Sequence, residues 1–434
     1  MTDRPEPFQG ILPAPGWRRA GDFVFVSSIH PLAGGALARP AAVSPWVGAS
    51  AVAAQTDAAL AALSVALSEA GSSLERVVKV EVSLAAAADF PEFKQAYARA
   101  FPHDPPARTT IVVGDEHLLD GARLTLNAVA LADDSALERV VVRAADVPGV
   151  PDPLEAEHAS LAVAAGPFVF CSGFPATDFR SGLAAGAPDA RGYHGSPAGQ
   201  QAAFVCDALE QVLAAVGSGL ELGLKVQFYL PDLTSFPVVD RLWGERVGVA
   251  PTRSSMACRG FVVPDALFVA NLLALRPGHG LEKAETRAGI PWHPVDMGKA
   301  NFSPGITAGE WLFTAGQIPV ADFTTLEWAG APAGLPHHWD DIGLQTQATM
   351  DLLRAQLDAN GYAFGDVVDA KVYLVDPRRD FRGFARVWER CFPEPGRRPA
   401  LTILGSRQAD GSDGVMVQGP TIEIDLTSWR EAGR

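Results

Sequence analysis

The sequence predicts an α+β protein built from three tandem units, each a mixed β-sheet covered on one face by two helices. Three observations carry this expectation. A lysine-bearing β-rich segment occurs three times, as VVKVEVSL from Val77, GLKVQFYL from Gly223 and DAKVYLVD from Asp369, and its lysines Lys79, Lys225 and Lys371 stand 146 residues apart in both intervals. Each segment follows an amphipathic helical pattern, and each precedes a second one. Self-similarity at a fixed period, with matched flanks, marks duplication of a whole folding unit.

Taken in order, each unit opens on a β-rich segment: DFVFVSS from Asp22, PFVFCSG from Pro167 and WLFTAGQ from Trp311. The first helix follows, with apolar stripes at Leu60, Leu63 and Leu67, at Val205, Leu209, Val212 and Val216, and at Met350, Leu353 and Leu357. These spacings place each stripe on one helical face. Gly71, Gly217 and Gly361 come next, the residue type that ends a helix in the left-handed conformation with least strain. After the lysine segment, large apolar residues recur at i, i+3, i+7 and i+11: Phe90, Phe93, Tyr97 and Phe101; Phe236, Val239, Trp243 and Val247; Phe381, Phe384, Trp388 and Phe392. Two β segments close each unit: TTIVVG and RLTLNAVAL, SSMAC and LFVANLLAL, LTILG and TIEIDL. Charged linkers near residues 136 and 283 give units at 1–135, 136–282 and 283–434. The long loops 31–48, 177–197 and 321–338 are rich in Gly, Ala, Pro and Asp.

Composition excludes several classes of function. Lysine and arginine total 35 against 50 acidic residues, a net charge of −15, so no nucleic-acid partner is expected. The apolar stretch 51–67 is interrupted by Gln55, Thr56 and Asp57, so no membrane span is expected. The start MTDRPEPFQG lacks the basic and apolar parts of a secretion signal, and Cys171, Cys206, Cys258 and Cys391 form no CxxC pair. A cytoplasmic protein with reduced thiols is the expectation. No glycine-rich phosphate loop or metal-ligand spacing occurs, and no cofactor or metal is expected. His337, His338, Asp340 and Asp341 read as the solvated start of a helix rather than as metal ligands.

The ordered motifs resemble the reactive-intermediate deaminase A family (RidA, or YjgF-type). The third unit carries FTAGQIPV from Phe313, QTQATMDLL from Gln345, AKVYLVD and TIEIDL; the first carries QTDAAL from Gln55, DFPEFKQAY and PARTTI; the second carries FCSGFP, LKVQFYL and PTRSSM. The resemblance implies a chorismate-mutase-like unit and a pseudo-trimer with three inter-domain clefts, as a monomer or low-order homo-oligomer. It also implies a cofactor-free, deaminase-type hydrolase acting on a small carboxylate-bearing imine, enamine or related nitrogen compound. In that family an arginine in the PARS motif clamps the substrate carboxylate, a task suited to a planar fork of donors. A carboxylate on the last strand positions water.

Carried over by position, Arg108 and Arg253 hold the arginine place and Leu401 replaces it in the third unit, with Arg398 nearby as a substitute. Glu423 holds the carboxylate place, where the other units have Thr125 and Val269. The loop survives as Gly316 and Gln317, against Ser28-Ile29 and Gly173-Phe174, and the aromatic near the first strand survives as Phe302. No unit keeps both the arginine and the carboxylate. One cleft assembled across two units restores a site; a non-catalytic ligand-binding or scaffolding protein, or an enzyme of another reaction type in a remodelled cleft, are the alternatives. The three lysines read as solvated or salt-bridged strand residues, and Cys171, Cys206, Trp243 and Trp388 as core.

Overall fold

The computed structural model describes residues 16–40, 50–184, 195–286, 301–321, 324–329 and 341–431. The cluster from His337 to Asp340 lies outside them, as do parts of the three long loops. The first unit runs β1 (Trp17–Ala20), β2 (Phe23–Ile29), a small hairpin β3 (Leu32–Ala33) and β4 (Ala36–Leu37), α1 (Ala51–Glu69), β5 (Val77–Leu84), α2 (Phe90–Ala100), β6 (Ala107–Val112) and β7 (Leu124–Leu131). The second runs β8 (Arg139–Val142), a short helix α3 (Leu154–Glu157), β9 (Ala162–Ala165), β10 (Phe168–Cys171), α4 (Pro197–Ala214), β11 (Gly223–Leu230), α5 (Phe236–Gly244), β12 (Thr252–Ala257) and β13 (Val269–Leu275). The third runs β14 (Lys283–Thr286), β15 (Gly305–Ala308), β16 (Trp311–Thr314), a hairpin β17 (Val320–Ala321) and β18 (Thr324–Thr325), α6 (Asp341–Ala359), β19 (Val367–Leu374), α7 (Pro377–Cys391), β20 (Ala400–Gly405) and β21 (Ile422–Trp429).

The three sheets share one order. In the first it is β1-β2-β7-β5-β6; the second reads β8-β9-β10-β13-β11-β12 and the third β14-β15-β16-β21-β19-β20. The closing strands of each unit do not pair with each other. The last inserts at the centre, antiparallel to its neighbours, and the other joins the edge in parallel.

Local chemistry sets the elements. Ser50 caps α1 by accepting from Val52 N and Ala53 N, and Gly71, Gly217 and Gly361 follow the first helices at φ +71, +72 and +75. One glutamine on each first helix clamps the loop entering the last strand: Gln55 accepts from Arg123 N, Gln201 from Leu267 N and Gln345 from Thr421 N. α1 is long and apolar enough to cross a membrane by length and composition. Here its stripe of Val52, Leu60, Leu63 and Leu67 packs on the first sheet.

Strand periodicity divides each sheet into two buried faces. Val80, Val82 and Leu84 of β5 and Leu124, Leu126 and Ala128 of β7 face the helices. The alternate residues face the other two units. On that side equivalent residues meet: Phe23 and Phe168 lie 5.4 Å apart between ring centroids, Phe168 and Trp311 5.3 Å, and Phe23 and Trp311 6.0 Å. The seams around this axis also correspond. Arg108 N donates to Ser172 Oγ (2.8 Å), Gly316 N donates to Arg253 O (3.0 Å), and Leu401 N donates to Ser27 Oγ (3.0 Å).

The structure corrects one repeat position. Lys79 and Lys225 pair with Val129 and Leu273, but the residue of β19 paired at the equivalent place, Thr427, is Asp369. Lys371 pairs with Asp425, the level at which Glu81 and Gln227 pair with Asn127 and Asn271. The third lysine is therefore two residues out of the repeat, and a carboxylate takes its place. The lysines are buried rather than solvated. Lys371 is ion-paired with Glu81 at 2.5 Å and Lys225 with Asp425.

Candidate functional site at the seam of the second and third units

β12 carries Arg253 to the edge of the second sheet, where the third unit closes over it. The guanidinium sits 5.0 Å from the ring centroids of Phe228 and Phe236 and 5.2 Å from Phe302, a cation held by aromatic faces from both units. Its Nη1 donates to Asn301 O (3.2 Å) and pairs with Asp240 Oδ1 (2.5 Å). Asn301 Nδ2 donates in turn to Asp240 Oδ2 (2.8 Å), tying the start of the third unit to α5.

From the third unit come the loop and the carboxylate. Gly316 N holds Arg253 O, while Gln317 and Ile424 exchange backbone hydrogen bonds of 2.8 and 3.0 Å. This fixes Gln317 beside Glu423. Burial, with Asp425 adding to it, pushes the Glu423 carboxyl up to about 8, against the Ser255 N–H and the Arg253 charge, which favour the charged form. Ser254 Oγ donates to Asp425 Oδ2 (2.7 Å), which is ion-paired with Lys225. A hydroxyl has one hydrogen to give, so the chain is satisfied when protonated Glu423 donates to Ser254 and Ser254 donates to Asp425. Glu423 is thus held toward its neutral form and joined across the seam to a charged pair.

Glycine is required at 316 for steric reasons. A Cβ there would overlap the Glu423 carboxylate and lie 2.8 Å from Ser254 Oγ. Gly316→Ala is expected to displace the Glu423 carboxyl and to destabilise the protein by about 1–3 kcal/mol, the usual cost of overpacking a filled site, measured by urea denaturation.

The other seams lack this combination. Between the first and second units Arg108 is buried under Phe90, Phe93 and Tyr97, its Nη2 pairs with Glu157 Oε2 at 2.6 Å, its Nε donates to Thr110 Oγ1 and its Nη1 contacts His158 O at 3.5 Å. Glu157, on α3 of the neighbouring unit, holds the guanidinium, so Arg108 stands in an inter-unit ion pair. Val269 occupies the position of Glu423 there, at the same register.

Between the third and first units Leu401 replaces the arginine. Arg398 does not substitute for it: its Nε donates to Phe392 O (3.0 Å) at the end of α7. Half-buried His30 and buried His117 lie in the first unit, and His30 Nδ1 and His117 Nε2 have no hydrogen-bond partner among the described residues. Burial pushes them down to about 4 and about 3. Their ordinary value is near 6.5, so the stability they contribute is intact above pH 6.5 and lost as pH falls through 4 toward 3. Proton NMR is expected to show neither ring titrating above pH 5; titration near 6.5 would contradict their burial.

Sequence reasoning named Arg253, Phe302, Gly316, Gln317 and Glu423, and the structure gathers all five at one seam. It missed Asp240, Ser254 and Asp425. Ser254 and Asp425 had a signal, since each lies one or two positions from a motif residue on the same strand. Asp240, on a helix, had none.

Known proteins bear on this geometry. The family model described as endoribonuclease L-PSP matches residues 19–131 and 297–418, and the chain belongs to that family, the RidA/YjgF group. A RutC family protein of Pyrococcus horikoshii is 36% identical over 130 residues, covering 30% of this chain and 87% of the relative. The crystal structure of yeast Mmf1 is 28% identical and aligns with 27% of this chain and 85% of its own, at a TM-score of 0.23. A chorismatase crystal structure is 13% identical and aligns with 82% of this chain and 93% of its own, at a TM-score of 0.46.

Proposed function

We propose that the chain is a cofactor-free hydrolase that converts a small carboxylate-bearing imine or enamine into a keto acid and ammonia. The reaction takes place at the seam of the second and third units. The observation that supports this reading is that Gly316 N donates to Arg253 O and Phe302 covers the Arg253 guanidinium at the seam where the third unit brings Gln317 and Glu423, parts that no single unit holds.

Arg253 spends Nη1 on Asp240 and Asn301; Nε and Nη2 have no hydrogen bond among the described residues and offer a fork to the substrate carboxylate. Glu423, held neutral, donates its proton to the imine nitrogen and makes the carbon electrophilic. The resulting carboxylate then takes a proton from the water that adds to that carbon, giving a carbinolamine. Glu423 then passes its proton to the carbinolamine nitrogen, the C–N bond breaks to release ammonia, and the carboxylate takes the hydroxyl proton, leaving the keto acid and neutral Glu423. A general acid of pKa near the working pH suits both transfers.

The pseudo-trimeric, cytoplasmic protein of the sequence reading belongs to this proposal, with one live seam and two that have become structural. The test is ammonia release from imines generated in place by an amino-acid oxidase. Release above the spontaneous rate supports the reading, and no acceleration across several amino acids would overturn it.

A further inference from the structure

Along the axis, beside Phe23, Phe168 and Trp311, the three sheets line a half-open cavity of about 70 Å³. Its charged lining is uneven. Lys225 and Lys371 are neutralised within the protein by Asp425 and Glu81. Lys79 has no ion pair among the described residues: its ammonium donates to Thr109 Oγ1 (2.8 Å) and Cys171 O (2.5 Å). Asp369, at the repeat position of Lys79 and Lys225, lines the same cavity and has no hydrogen bond or ion pair among the described residues.

A buried ammonium and a half-buried carboxylate, each without a direct ion pair among the described residues, are costly, and a ligand with one charge of each sign compensates both. Burial pushes Lys79 down to about 7, against the opposing charge of Glu81, and Asp369 up to about 6, against Lys371 and Lys225. The volume accommodates roughly five or six water-sized groups. We propose that this axial cavity binds a small zwitterionic α-amino acid, its carboxylate toward Lys79 and its ammonium toward Asp369 and the aromatic wall, separately from the seam.

The test is calorimetric titration of the full chain with glycine, alanine, leucine, acetate and methylammonium. Glycine or alanine is expected to bind saturably and one to one. Leucine is expected not to fit, and acetate and methylammonium to bind at least about tenfold more weakly than the zwitterion. Asp369→Asn is expected to weaken glycine binding by about tenfold or more, and Arg253→Met to leave it unchanged. The proposal is overturned by absence of saturable glycine or alanine binding, by leucine binding as well as glycine, or by binding that depends on Arg253 and not on Asp369. If the Asp369 variant does not fold, the size and charge comparisons on the unaltered chain decide.

Discussion

The Glu423→Gln protein is expected to be more stable than the parent at pH 8 and to have lost its activity almost entirely. The two effects share one cause. Glu423 is only 5% exposed, and its carboxyl is pushed up to about 8 from an ordinary 4.5. Between those values the folded protein keeps a proton that the unfolded chain releases. The sign follows: the native state binds more protons than the unfolded state, so this residue's contribution to stability falls as pH rises from 4.5 to 8. The slope is about 1.4 kcal/mol per pH unit. Glutamine has the same shape and does not titrate, so its advantage should grow steadily between pH 5 and pH 8 in urea-denaturation midpoints. Turnover should move the other way, falling by about 10²–10⁴-fold, because glutamine neither gives nor takes a proton. In the parent, activity should decline as pH rises through about 8, where the acid is lost. A variant as active as the parent would remove Glu423 from the chemistry; one with no pH-dependent gain would show that its carboxyl is not held neutral.

Arg108→Met is expected to act on stability instead. Arg108 is 1% exposed and Glu157 5% exposed, and the two meet at 2.6 Å across the seam of the first and second units. Removing the arginine leaves a buried carboxylate without its partner, a change that costs about 3–5 kcal/mol. The loss belongs to the stranded charge more than to the missing attraction. A second substitution, Glu157→Gln, should therefore recover most of it, so the double variant should be more stable than Arg108→Met alone. Equal destabilisation in the single and double variants would mean that Arg108 matters for packing on Phe90, Phe93 and Tyr97 and not for charge.

The difference between these two arginines shows what the sequence could and could not reveal. Both follow proline at the start of an edge strand, and the motif placed them correctly in the repeat. Their partners lie elsewhere: Glu157 on a short helix of the next unit and Asp240 on α5, at no fixed spacing from either arginine. Helix stripes and the closing glycines were legible because burial on one face imposes a period that the chain must keep. The third lysine was not. Lys371 differs from the true repeat position by two residues, and a slip of two keeps a strand residue on the same face, so alternation cannot detect it. The glycines held the missing signal: Gly71 and Gly217 precede Lys79 and Lys225 by eight residues, and eight residues past Gly361 is Asp369. That substitution of charge is what leaves the axial cavity with an unpartnered acid.

The most direct measurement compares ammonia release by the Arg253→Met and Arg108→Met/Glu157→Gln proteins at equal folded concentration. If chemistry belongs to the seam where Arg253 meets Glu423, the first loses about 100-fold or more in kcat/KM and the second keeps the parent rate. Loss of activity in the second, with the first unaffected, would place the reaction at the other seam and contradict the assignment.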